Sequence, residues 1–150
     1  MRSRHLRPGA TLPDLIITLA VLAILTAMAA PRLMRARDAY AARAARDAAA
    51  ALIEQTRVQA AARGTARLVV DPQRGTLVVQ SPAGGAAAAE LSAGDAFGIT
   101  VTVDGHSTGV VALDFNALGL GVVANRTLRF HRGAEEARLS LSTYGRVRRW

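Results

Sequence analysis

Residues 15–31, LIITLAVLAILTAMAAP, carry no charge and are almost wholly aliphatic. A run this long constrains the chain more than any other feature. As a helix it spans roughly 25 Å at ~1.5 Å per residue, a little short of a hydrocarbon core of ~30 Å. Leu12 and Leu33 lengthen it, which gives an expected membrane span of about residues 13–34. Arg2, Arg4 and Arg7 lie before it, and Arg32, Arg35 and Arg37 follow it, placed for the two headgroup layers. The shorter basic head is the one expected to stay cytoplasmic.

An ordinary secretory signal accounts for part of the same stretch. Its basic head would be residues 1–7, its apolar segment Leu15–Thr26, and its small-residue cleavage site Ala27-Met28-Ala29. A soluble β domain starting at Ala30 would be released. Against this, Pro13 and Asp14 open the apolar segment awkwardly, and the helical pattern continues beyond the cut.

Residues 32–63 continue as a helix. Thirteen of them are Ala, the strongest helix former, and none is Gly. At 100° per residue, Leu33, Tyr40, Ala44, Ala51, Val58 and Ala62 share a narrow apolar face, with Arg35, Arg46 and Arg57 opposite. The expected helix is amphipathic, resting that face on the remainder of the chain. Gly64 is a natural stop. Pro31 interrupts the rod and removes one helical hydrogen bond.

Beyond residue 64 the period changes to two. Phe97, Ile99, Val101 and Val103 alternate with polar or small residues, as do Leu128 with Phe130, and Ala137 with Leu139 and Leu141. These read as half-buried antiparallel strands. Arg67–Asp71 and Thr76–Gln80 flank Pro72-Gln73-Arg74-Gly75, a hairpin signal. Val110–Phe115 is a further strand, and Ser81–Asp95 reads as a long loop with room for a helical turn. The expected fold class is α+β: a long N-terminal helix on a small antiparallel β domain.

Composition removes several functions. The 150 residues hold no Cys, which excludes a disulfide framework, a thiolate metal site and a Cys nucleophile. All 19 basic residues are Arg, against 11 acids, for a net charge of +8. Without Lys there is no phosphate loop of the GxxxxGK kind. Gly119-Leu-Gly121-Val-Val-Ala124 has the letters of a dinucleotide fingerprint but precedes a strand pattern instead of opening a helix. His106 and His131 stand 25 residues apart without a companion ligand. Asp104, His106 and Ser107 read as a turn. No enzyme, metal or cofactor is expected.

The junction Arg7-Pro8-Gly9-Ala10-Thr11-Leu12-Pro13-Asp14-Leu15 resembles a class III prepilin signal: a basic leader, Gly, then a Thr-Leu-x-acid-aliphatic run. Ala10 stands where the family has Phe, Pro13 where it has an aliphatic residue, and Asp14 where it has Glu. The resemblance implies cleavage between Gly9 and Ala10 by a prepilin peptidase and methylation of the new Ala10 amine. Residues 1–9 are then a leader, 10–63 the helix and 64–150 a periplasmic β domain. It further implies a single-pass inner-membrane protein that assembles into a filament with other pilins or pseudopilins. Asp14 would pair with a neighbour's amine, and Pro31 lies where the family bends its helix. Leader removal leaves a net charge of +5.

The stretch Ser142-x-x-Gly145-Arg146-Val147-Arg148-Arg149-Trp150 resembles the ending of the GspH/FimT group, and Phe115-Asn116-Ala117-Leu118-Gly119 resembles that group's Phe-x-x-x-Gly turn. The group implies a minor pseudopilin of the type II secretion system, a structural part of the periplasmic pseudopilus. It equally contains FimT-like minor pilins of type IV pili, implicated in pilus assembly or DNA uptake. Arg146, Arg148, Arg149 and Trp150 are the residues that would touch DNA. A solvated basic ending is the plain alternative.

Overall fold

The computed structural model describes residues 11–80, 87–122 and 125–150. They fall into two compact units that divide between Met34 and Arg35.

The first unit is the apolar half of helix α1, which runs Leu12–Arg63 and contains Pro31. Its large side chains, from Leu15 through Met34, are all exposed. It is, among the described residues, the one segment long and apolar enough to cross a membrane. Its hydroxyls turn inward: Thr18 donates to the Leu15 carbonyl at 2.8 Å and Thr26 to the Leu22 carbonyl at 2.7 Å. Both threonine hydroxyls are thereby satisfied within the helix itself.

The second unit sets the remainder of α1 beside two four-stranded antiparallel sheets. Their elements are β1 (Thr65–Asp71), β2 (Thr76–Gln80), β3 (Ala89–Ser92), α2 (Ala93–Phe97), β4 (Thr100–Val103), β5 (Val111–Asn116), β6 (Arg126–Arg132), β7 (Glu135–Leu141) and β8 (Val147–Arg149). The first sheet has the order β3-β2-β1-β5, the second β4-β6-β7-β8. Period-two burial puts Ala66, Leu68 and Val70 of β1 inside, with Leu128 and Phe130 of β6 and Ala137, Leu139 and Leu141 of β7. Phe115, Phe130, Ile53, Leu68 and Leu77 are the largest fully buried side chains. Each stabilises the fold by about 1.5–3 kcal/mol over its exposed state.

Three expectations need correction. The stretch expected to be one long loop, 81–95, holds strand β3 and the start of α2, and its residues 81–86 lie outside the described set. Pairing with β2 supplies β3 with the partners that local sequence does not specify. The strand expected from Phe97 begins only at Thr100, because α2 occupies Ala93–Phe97 and closes on Gly98 at φ 62°, whose N–H bonds the Gly94 carbonyl. This is a left-handed helix cap.

The third correction concerns α1. The buried face is Ala41, Ala42, Ala45, Ala49, Ala50, Leu52, Ile53, Thr56 and Ala60. Tyr40 and Val58 of the expected apolar face are 75% and 69% exposed, and Ala51 and Ala62 are exposed with them. Arg46 and Arg57, expected on the far side, reach into the β domain. Alanine fits either face, so the few large residues tilted the pattern, whereas close packing on the sheets selects small side chains.

Candidate functional site

At the N-terminus, Gly9 and Ala10 lie outside the described residues. Asp14 sits in the first turn of α1. One of its carboxylate oxygens accepts from the Thr11 N–H at 3.1 Å and from the Thr11 hydroxyl at 2.7 Å. This is half of a capping box, satisfying a donor that the helix start leaves open. It also holds a carboxylate at the mouth of the apolar helix, where the positive end of the helix dipole favours it.

At the other end, two sequence motifs meet. Asn116 Oδ1 accepts the N–H groups of Leu118 and Leu120, both at 3.0 Å, and curls the loop after β5. The Ser142 carbonyl accepts the Gly145 N–H at 2.8 Å, and its hydroxyl accepts the Arg146 N–H at 3.2 Å, which shapes the turn between β7 and β8. The two turns touch where Arg57 of α1 donates from Nε to the Gly119 carbonyl at 3.0 Å. Arg57 also holds Glu54, its Nη1 donating to both carboxylate oxygens at 3.0 and 3.1 Å.

That junction aims β8. Its register with β7 sets Arg148 opposite Ser140 and Arg149 opposite Leu139, while Arg138 and Trp150 exchange backbone hydrogen bonds. Strand alternation therefore puts Arg146, Arg148 and Trp150 on the open face of the second sheet, and Arg149 on the opposite side. The four residues singled out in the ending do not form one cluster: Arg149 is separate from the other three. Arg46 steadies the end of β8 by donating to the Trp150 carbonyl at 2.9 Å.

The open face carries a groove of 590 Å³ lined by Arg126, Thr127, Ser140, Ser142, Tyr144, Arg146 and Arg148, among others. A second groove of 430 Å³ shares Thr127 and Ser140 and adds Arg129, Glu136, Arg138 and Trp150. Arg129 of β6 lies directly opposite Arg138 of β7. Like charges so placed oppose folding. Glu136 relieves them: it bonds the Arg138 guanidinium, lies 3.9 Å from Arg129 and 3.5 Å from His131. The Arg138 bond holds the Glu136 carboxyl below its ordinary range against the upward push of burial, with Arg138's charge, His131 and Arg129 adding to the effect. Among the described residues, Arg146 and Arg148 have no ion-pair partner. The sequence reading missed Arg126, Arg129, Arg138 and Tyr144 as members of this face. Period-two alternation carried from β8 across β7 to β6 is the signal that reaches the arginines. Among the described residues no group of His, Asp and Glu is placed to hold a metal.

A long N-terminal helix with an exposed apolar first half, and a second half on antiparallel sheets, defines the pilin-like α+β fold. Two crystal forms of the type IV minor pilin FimU of Pseudomonas aeruginosa strain PAO1 share it. One is similar with a TM-score of 0.59 at 18% identity, over 73% of this chain and 87% of that one. The other gives a TM-score of 0.57 at 18% identity, over 72% and 91%. No family model and no curated protein sequence matches the chain.

Proposed function

We propose that this chain is a minor structural subunit of a pilus-like filament. A prepilin peptidase cleaves it after Gly9, Ala10 is methylated, and the apolar half of α1 holds it in the bacterial inner membrane with the β domain in the periplasm. The single observation that supports this is the pilin-like fold joined to an apolar helix whose first turn carries Asp14. In the filament, Asp14 gives up Thr11 for the amine of a neighbouring subunit, a pairing that offsets the burial of its charge. The likeness to a type IV minor pilin supports the pilus as the machine. The GspH/FimT-like ending fits both a pilus and a type II secretion pseudopilus.

Two measurements test it. Intact mass of the protein from isolated envelopes is expected to give residues 10–150 plus one methyl group; a molecule starting at Ala30 would end the proposal. Deleting the gene should remove surface pili and spare exoprotein secretion. Lost secretion with normal pili would assign the chain to the pseudopilus instead.

A second reading rests on the groove. Arg146 and Arg148, without an ion-pair partner among the described residues and lining the same groove as Arg126, suit the phosphates of DNA. Binding should weaken steeply as salt rises, and the double variant Arg146→Ala, Arg148→Ala should abolish it. No retardation of duplex or single-stranded DNA at low salt would rule this out.

A further inference from the structure

We propose that the open face of the second sheet is a platform for single-stranded nucleic acid, spanning both grooves, with the phosphate chain on the arginines and bases stacked on Tyr144 and Trp150. This rests on the DNA reading above and names the form of ligand the face takes.

Three observations carry it. First, the two grooves share Thr127 and Ser140, so the lined surface continues from Tyr144 at one end to Trp150 at the other. Both aromatic residues project into solvent, 82% and 67% exposed. Exposed aromatic rings beside a cationic track form the stacking surface on which unpaired bases bind without regard to sequence.

Second, the charge is arranged for a backbone that crosses the strands. Arg146 and Arg148 flank the first groove, Arg129 and Arg138 the second, and among the described residues Glu136 is the one carboxylate that lines either. The opposed pair Arg129 and Arg138 works against the fold of the isolated domain and is only partly relieved by Glu136. A phosphate chain would relieve it further. Every cation in the grooves is a guanidinium, the group that pairs with phosphate through two parallel bonds and also stacks on bases.

Third, the geometry disfavours duplex as the preferred ligand. A major groove admits a helix or an isolated two-stranded ribbon. Here β7 and β8 are not isolated, since β6 and β4 continue the sheet on the β7 side. The face is a broad four-stranded surface, the shape on which aromatic side chains receive splayed bases. In a duplex the base faces are already stacked and cannot reach Tyr144 or Trp150.

The experiment measures anisotropy of a short fluorescein-labelled thymidine oligomer and of a labelled duplex of equal length. The titrant is the full-length chain in neutral detergent at low salt. The single strand should bind roughly tenfold more tightly than the duplex. Trp150→Ala should remove most of that preference, and Trp150→Phe should restore it. Circular dichroism checks that the variants stay folded, and the exposure of Trp150 favours that. Equal or tighter duplex binding, or a single-strand preference untouched by both Trp150→Ala and Tyr144→Ala, would overturn the inference while the DNA reading stands. Binding of neither probe defeats both.

Discussion

The Nε of Arg57 donates to the carbonyl of Gly119 at 3.0 Å, and that bond closes a three-way contact. A β-carbon placed on Gly145 would lie 2.8 Å from the same carbonyl oxygen and 3.2 Å from Arg57 Nε. Helix α1, the loop after β5 and the turn before β8 therefore converge at a point with no volume for a side chain. The turn that aims Arg146 and Arg148 takes its position from this contact.

Gly145→Ala should destabilise the domain for two separate reasons. Gly145 has φ 73°, and the added methyl meets backbone it cannot displace. The left-handed conformation costs about 1–2 kcal/mol, and overpacking adds about 1–3 kcal/mol. Gly64→Ala is the control: φ is 87°, with nothing within 4 Å of the new carbon. It should show the conformational cost alone. Thermal unfolding of the full-length chain in detergent should put Gly145→Ala clearly below Gly64→Ala; equal midpoints would refute the contact.

Arg57→Ala should loosen both turns without unfolding the domain. A hydrogen bond from a charged donor contributes about 1.5–3 kcal/mol, and the partial exposure of Arg57 puts this one near the lower end. The effect should be local. Amide hydrogen exchange should speed up at Gly119 and Gly145, and remain slow in β1 and β6. Uniform acceleration throughout would mean that Arg57 supports the fold as a whole.

Much of this fold is legible in the sequence, because its signals are local. The apolar run of α1, its stop at Gly64 and the alternation in β6 and β7 each need only their own neighbours. Helix orientation is not local. Which face of an alanine-rich rod packs inward depends on the closeness of the sheets, and Tyr40 and Val58 mislead because size does not decide it. The groove is legible in part. Arg146 and Arg148 stand out in the ending, but Arg129, Arg138 and Glu136 join them only through strand register. The separation of Arg149 follows from the same register, in which it faces Leu139 across the β7–β8 ladder.

The reassigned helix face has a direct test. Ile53 is fully buried and Val58 is largely exposed. Ile53→Ala should cost about 2–5 kcal/mol, whereas Val58→Ala, an exposed change toward a better helix former, should fall within about 0.5 kcal/mol of zero. Chemical unfolding of the two variants decides it. A larger loss for Val58→Ala would return the helix to the face its bulky residues suggest.

Asp104 gives the domain an acid-sensitive lock. It lies just after β4, and its carboxylate accepts the Thr127 N–H at 2.8 Å and the Arg126 guanidinium at 2.7 Å, tying β4 to β6. Partial burial alone would push this carboxyl up. The Thr127 N–H and Arg126 outweigh that, with the His106 charge adding, and hold it below its ordinary range. The folded state therefore holds the Asp104 proton more weakly than the unfolded chain, whose carboxyl titrates near ~3.9. Stability from this group is complete above that value and disappears as pH falls through the lower folded value. Glu136 is shifted in the same direction and adds to the same slope. Denaturant midpoints measured from neutral pH down to pH ~2.5 should fall through this window. Asp104→Asn should start less stable at neutral pH and fall less steeply, and adding Glu136→Gln should flatten the curve further. A wild-type curve that stays level below the ordinary Asp range would show that the Asp104 bridge contributes nothing to the fold.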